Sequence, residues 1–204
     1  VLILRKVAVT GGLASGKTSV CRILESLGAY VVDSDEVVHQ LLSPNTALGK
    51  QIIELLGSDV LTEGNFDRKK IAKKVFSEPE KLRSLEQHLH PAVIDEIEKR
   101  FQKIKNANKY KFFVAEIPLL YEKEYEKYYD YVIVVTSDPS IARRRFFQRD
   151  GHLEEEYEKR MGRQLPPGEK AAHADFVIIN NGDENQLKEQ VMNIPNLKSK
   201  GVPF

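Results

Sequence analysis

One short segment constrains the fold of this chain more than any other: residues 7 to 20, "VAVTGGLASGKTSV", place G-x-x-x-x-G-K-T between two apolar runs. The run before it, Lys6 to Thr10, is β-branched and apolar and breaks at Gly11 and Gly12. The run after it carries Val20, Ile23, Leu24 and Leu27, the spacing of a helix with one face on a sheet. Glycines between a strand end and a helix start let backbone N–H groups curl around phosphate oxygens, and the helix dipole adds favourable charge. Lys17 reaches the outer phosphates, and the Thr18 hydroxyl is a ligand for magnesium.

The remaining chain alternates short apolar runs with helical periodicity. Gly28 closes the first helix, and "AYVVDSD" supplies a second strand. Residues 35 to 57 read as helix, a turn at "SPNT", and a second helix closed by Gly57. "TEGNFD" reads as a turn, and Arg68 to Phe76 as a short helix. From Pro79 to Asn106 the pattern is helical, with Pro91 expected at a boundary or in a first turn. "KFFVAEIPLL" is a strand that stops at Glu116 before Pro118, and "YDYVIVVTSD" is another.

Pro139 to Arg149 reads as a basic helix, Glu154 to Gln164 as a charged one, and Pro166 to Ala172 as a turn and short helix. "ADFVIIN", residues 174 to 180, is the last strand, and residues 184 to 192 form the last helix before a tail. Five strands separated by helices predict an α/β parallel sheet covered on both faces. A chain of 204 residues holds one such core with a small lid, as a single domain.

Charge and cysteine content narrow the function classes. Thirty-one Lys and Arg against 30 Asp and Glu leave a formal net charge of +1, so the chain has no overall bias toward nucleic acid or anionic membrane. No apolar run approaches the roughly 18 to 20 residues of a membrane span, and Cys21 stands alone as a small core residue. A cytoplasmic monomer is the expectation. The N-K-x-D motif of a small GTPase is missing, since Asn108-Lys109 is followed by Tyr110 and Lys111 and precedes its strand. Without the strand ending in Asp-Glu of a helicase or ring ATPase, phosphoryl transfer to a small acceptor leads.

Two further constellations bear on that transfer. Asp33 and Asp35 follow the second strand, where ligands of parallel α/β sheets bind, and a carboxylate there can take the proton of an acceptor hydroxyl. The same "DSDE" also reads as a capping box, with Asp33 as the cap and Glu36 three residues on. In "ARRRFFQRDG", Arg145 and Arg149 share a helical face, which suits a lid over a polyphosphate. A solvated face paired with the following "EEEYEK" is the plainer reading. Glu116, at a strand end, is a further candidate for magnesium-bound water or substrate, and Phe112 and Phe113 are core.

Taken in order, "TGGLASGKTSV", "VVDSDEVVHQL", "GNFDRKKIAKKVF", "LHPAVIDEI", "IPLLYE", "RRRFFQRDG" and "ADFVIINNG" resemble the dephospho-coenzyme A kinases from about residue 6 to residue 182. The resemblance implies a three-layer P-loop NTPase-like fold with a five-stranded parallel sheet, a helical acceptor-side region over residues 38–108 and a lid over 139–170. It implies transfer of the ATP γ-phosphate to the ribose 3′-hydroxyl of dephospho-coenzyme A, with Mg2+. Asp33 matches the family's base, with Lys17, Arg145 and Arg149 as the other catalytic positions. Gly12, Leu13, Ala14, Ser15, Gly16, Lys17, Thr18, Ser19 and Asn181 fall at nucleotide-binding positions, Thr18 also being the metal contact. Asp33, Asp35, His39, His90, Leu119, Arg160 and Gln164 fall at acceptor positions.

At one position the chain departs from the pattern. The family commonly writes D-x-D-x-x-x-R, and His39 stands where the arginine would be. A histidine near neutrality loses a charge that arginine never does, so a phosphate contact there is weaker and pH-dependent, and a surface role is the simpler reading. His90 is also expected to hydrogen-bond near a proline-bounded helix start. Two other functions stay open on the residues alone: a P-loop kinase of a nucleoside, nucleoside monophosphate or other small alcohol, and a non-catalytic ATP-binding regulatory module.

Overall fold

The computed structural model describes residues 3–148 and 154–194. Along the chain run β1 (Arg5–Gly11), α1 (Lys17–Ser26), β2 (Tyr30–Asp33), α2 (Ser34–Leu41) and α3 (Ala47–Leu56). A two-stranded hairpin, β3 (Leu61–Thr62) and β4 (Asn65–Phe66), leads into α4 (Arg68–Ser77) and the long α5 (Pro79–Ala107). Then come β5 (Phe112–Glu116), β6 (Tyr131–Thr136), α6 (Pro139–Phe147), α7 (Glu154–Met161), α8 (Pro167–Ala172), β7 (Phe176–Ile179) and α9 (Glu184–Met192). By its internal contacts the chain divides into two compact units, residues 34–102 and the rest.

The larger unit is built on a five-stranded sheet in the order β2-β5-β1-β6-β7, with every pairing parallel. Its central strands are β-branched and apolar because both faces are covered, whereas Val177 and Ile179 of the edge strand β7 are exposed. Val7, Val9, Val114, Ile133, Val135 and Ile178 form one buried cluster with Val20 and Leu24 of α1 and Leu187 and Val191 of α9. The alternate residues Ala8, Ala115, Val132 and Val134 are also buried, on the opposite face, and α8 packs there on β1 and β6. Each fully buried Val, Leu or Ile contributes about 1.5–3 kcal/mol.

Register carries this packing to the functional edge. Val9 pairs with Glu116, and Glu116 pairs with Asp33. The carboxyl ends of β2, β5 and β1 therefore finish side by side. β1 feeds a crossover toward β2, while β6 lies on its other side and feeds β7. A parallel sheet whose chain path divides in this way binds ligands beyond its carboxyl edge.

The smaller unit is mostly helical around Ile52, Leu56, Val60, Ile71, Val75 and Leu85. Thr46 caps α3 by accepting from the Gly49 amide at 2.9 Å, and Asp67 caps α4 by accepting from Lys69 and Lys70. "TEGNFD" is more than a turn, since Leu61 pairs with Phe66 and Thr62 with Asn65. Glu63 and Gly64 both have positive φ, the twist a two-residue hairpin turn needs. Such two-residue strands are too short for an alternating pattern to show in the sequence.

Pro91 corrects an expectation. It lies inside α5 rather than at a boundary. The missing N–H costs one helical hydrogen bond, and burial of Leu85, Val93 and Ile97 on either side of it holds the helix continuous. α6 ends at Phe147 and α7 at Met161, short of the expected Arg149 and Gln164.

Candidate active site

The loop after β1 leads into α1 through Gly16, at φ 98 and ψ 26, with no side chain capping the helix and no acidic residue in its first turn. A helix start left this way has N–H groups and a positive dipole end available to an anion. Ala14 is held at φ 52, a left-handed conformation that costs a non-glycine residue of order 1 kcal/mol and tends to gather at ligand-binding loops. Lys17, 9% exposed, turns its ammonium back onto the Gly12 carbonyl at 2.9 Å. Ser15 is buried, and its hydroxyl has no hydrogen-bond partner among the described residues.

Glu116 is the group that sequence reasoning only glimpsed. It is 6% exposed, and its Oε1 accepts from the Thr18 hydroxyl at 3.0 Å. The Cys21 thiol, one turn further along α1, also hydrogen-bonds to Glu116. Burial pushes that thiol well above its ordinary value, and the Glu116 and Asp33 carboxylates push the same way while Lys17 opposes. Cys21 is accordingly an inert core thiol. Asp33, at the end of β2, stands in register with Glu116.

Hydroxyl and carboxylate oxygens of Thr18, Glu116 and Asp33 are the hard donors that Mg2+ takes. Mg2+ is bound through one or two carboxylates together with substrate phosphates, not in a protein cage. Among the described residues no cluster of three or more His, Cys, Asp or Glu is placed to hold a metal. The donor set fits an ion that arrives with a nucleotide.

Asn180, which follows β7, closes the loop from the other side. It is 6% exposed and donates from Nδ2 to the Ser15 carbonyl at 2.8 Å. Gly16 makes room for it: a Cβ there would lie 2.0 Å from Asn180 Nδ2. Arg145 of α6 then donates to the Asn180 carbonyl at 2.9 Å and to its Oδ1 at 3.4 Å. The loop, the last strand and the basic helix are thereby joined through one side chain. Asn181, expected at the nucleotide, is exposed, and its Oδ1 accepts from the Asp138 amide at 2.7 Å. The pair "NN" was the available signal, and its first member is the one at the loop.

The other expected residues fall in several places. Leu119 is half-buried in the segment leaving β5, and Gln164 is half-buried after α7 with its Oε1 unpartnered among the described residues. Arg160 is exposed, pairs with Glu156 and lies 5.7 Å from the Phe146 ring. Arg143 pairs with Glu154 at 2.6 Å, so part of the basic helix is the solvated salt-bridged face the plainer reading anticipated. Phe146, Phe147 and Tyr157 hold α6 and α7 together. In the smaller unit, Asp35 and His39 are exposed in the first and last turns of α2, and His90 is half-buried within α5. Arg149 lies outside the described residues.

A parallel sheet with this strand order, a glycine loop between its central strand and a helix, and carboxylates at the neighbouring strand ends define a P-loop small-molecule kinase. Comparison with known proteins narrows that class. Residues 5–186 match the dephospho-CoA kinase family, and a dephospho-CoA kinase of Protochlamydia amoebophila is 46% identical over 92% of this chain and 93% of its own length. The chain belongs to the dephospho-CoA kinase family, and with it to the ATP-dependent phosphotransferases. Among solved structures, TT1252 from Thermus thermophilus superposes with a TM-score of 0.78 at 28% identity, over 93% of this chain and 95% of its own. The dephospho-CoA kinase from Campylobacter jejuni gives 0.72 at 28% identity, over 98% and 99%.

Proposed function

We propose that this chain transfers the γ-phosphate of ATP to the ribose 3′-hydroxyl of dephospho-CoA, giving coenzyme A and ADP. The observation that carries the reading is the alignment of Asp33 with Glu116 at the strand ends, with Glu116 bonded to Thr18 of the helix that follows the glycine loop. Residues 12 to 19 hold the triphosphate through backbone N–H groups and Lys17. Asp33 is the general base: it accepts the hydroxyl proton as the oxygen attacks the γ-phosphorus in line and the bond to the ADP oxygen breaks. Thr18 and Glu116 are the residues that would hold Mg2+, and the ion would supply positive charge to the phosphates. Arg145, fixed at the loop by Asn180, offers positive charge to the transferring group.

The segment 139–170 is assigned as a lid that excludes water, so that ATP is not lost to hydrolysis. Arg149 is assigned to the same lid. Asp35, His39, His90, Leu119, Arg160 and Gln164 are assigned to the acceptor, the exposed His39 as a weak contact. We further assign the chain to the cytoplasm as a monomer, with no nucleic-acid partner. No helix among the described residues is long and apolar enough to cross a membrane.

The test is the fate of the label. With ATP labelled at the γ-position, magnesium and dephospho-CoA, the label is expected in coenzyme A as a 3′-phosphate. Label released only as inorganic phosphate, from folded protein, would remove the reading.

A further inference from the structure

Lys170 carries a charge into the core: it is 0% exposed, in the last turn of α8. Its ammonium donates to the Pro118 carbonyl at 2.9 Å and to Glu122 Oε1 at 2.7 Å. The same Glu122 oxygen accepts from the Leu165 amide at 2.8 Å, and the Pro118 carbonyl also accepts from Thr10 Oγ1 at 3.3 Å. The end of β1, the segment leaving β5, the segment after α7 and α8 itself therefore meet at one buried charge. On the far side, α8 touches the phosphate loop: a Cβ at Gly12 would lie 3.1 Å from Pro167 Cγ.

Stability alone does not call for this pair. Apolar residues of similar volume do as well or better in place of a buried ion pair, and burial pushes the Lys170 ammonium below its ordinary value despite Glu122. What an apolar pair lacks is direction, because an ammonium has three donors and a carboxylate fixes the angle of an amide. Here those bonds orient the backbone of Pro118 and Leu165, the neighbours of Leu119 and Gln164.

We propose that Lys170, together with Glu122, is a positioning residue for phosphoryl transfer: the pair fastens the segments 118–122 and 164–167 into one frame against the glycine loop. Gln164 Oε1, buried with no hydrogen-bond partner among the described residues, then takes its place from the frame. The proposal rests on the kinase reading above, and it predicts a loss in turnover that stability does not explain.

Four proteins test it: wild type, Lys170→Met, Glu122→Gln, and the double variant Glu122→Met with Lys170→Met. Lys170→Met leaves a carboxylate buried without its cation and is expected to lower Tm by about 10 °C. The double variant is expected to recover most but not all of that Tm, since no charge is left behind but the Leu165 amide loses its acceptor, and to keep a roughly 10- to 100-fold loss in kcat with the KM for ATP changed less than about threefold. Glu122→Gln, which keeps the acceptor for Leu165, is expected to lose less kcat. A double variant that recovers both Tm and kcat, or one that never lost kcat, overturns the proposal.

Hydrogen exchange at the Leu165 amide provides a readout independent of the acceptor. It is expected to be slow in wild type and Glu122→Gln and at least tenfold faster in the double variant. If wild type turns over no dephospho-CoA, the kinase reading fails by itself, and equal exchange in all four proteins overturns the frame. If the double variant does not fold, unaltered kcat in Glu122→Gln overturns the proposal.

Discussion

Asn180 and Asp33 do different work at opposite sides of the glycine loop. Asn180 holds the loop's shape through the Ser15 carbonyl, in a space that exists because residue 16 has no side chain. Asn180→Ala strips a buried carbonyl of its donor, a loss of about 1 kcal/mol or more. Steady-state kinetics are expected to show the KM for ATP rising roughly tenfold with a smaller change in kcat. Asp33→Asn is expected to do the reverse: calorimetry finds ATP binding kept, while kcat falls about 10²- to 10⁴-fold. Full turnover in a folded Asp33→Asn protein would end the assignment of the base.

Tyr121 gives a residue-scale prediction about pH. Its hydroxyl is buried without a partner among the described residues, and burial, then the Asp175 and Glu126 carboxylates, push it up to about 12. The unfolded phenol ionises near pH 10. Between about pH 10 and 12 the unfolded chain has therefore lost a proton that the native chain keeps, and stability falls as pH rises. Urea unfolding at several pH values is expected to show a shallower fall for Tyr121→Phe than for wild type across that window, with no loss at pH 7. Equal slopes would contradict the account.

At the scale of elements, α1 does two jobs with one face. Val20, Ile23 and Leu24 anchor it on the sheet, and Thr18 and Cys21 meet Glu116. The apolar period was readable in the sequence, because burial sets it. The meeting with Glu116 was not, because residues 18 and 116 come together only through strand register. The same reason hid the pairing of Lys170 with Glu122, which come together only when α8 is laid on β1 and β6. Pro91 shows the converse: a strong local signal was overruled by the apolar residues around it. Cys21 reports on the integrity of α1. A disulfide reagent is expected to leave it unmodified in native protein and to react fully in urea, and rapid modification of folded protein would show that α1 opens locally.

At the scale of the whole molecule, five short apolar runs alternating with helices were enough to foresee a parallel sheet covered on both faces. Strand order was out of reach of that argument, since every strand has the same kind of apolar centre and fits beside any other. The site was legible to the same extent. The glycine loop, Asp33 and Glu116 as a strand-end candidate stand on local spacing, whereas the Thr18–Glu116 bond, Asn180 at the loop and the buried Lys170 required the sheet to be assembled first. What the assembled sheet adds is the relation between donor and acceptor ends: the loop leaves β1 beside the strands that end in Glu116 and Asp33. Transfer to an acceptor makes use of both.

The most direct measurement is ADP release from ATP and magnesium by the purified chain, with dephospho-CoA, a nucleoside, a nucleoside monophosphate or no acceptor. A phosphotransferase of this family releases ADP in proportion to dephospho-CoA and at background with the rest. ADP release that is independent of dephospho-CoA, or stronger with another acceptor, would contradict the account.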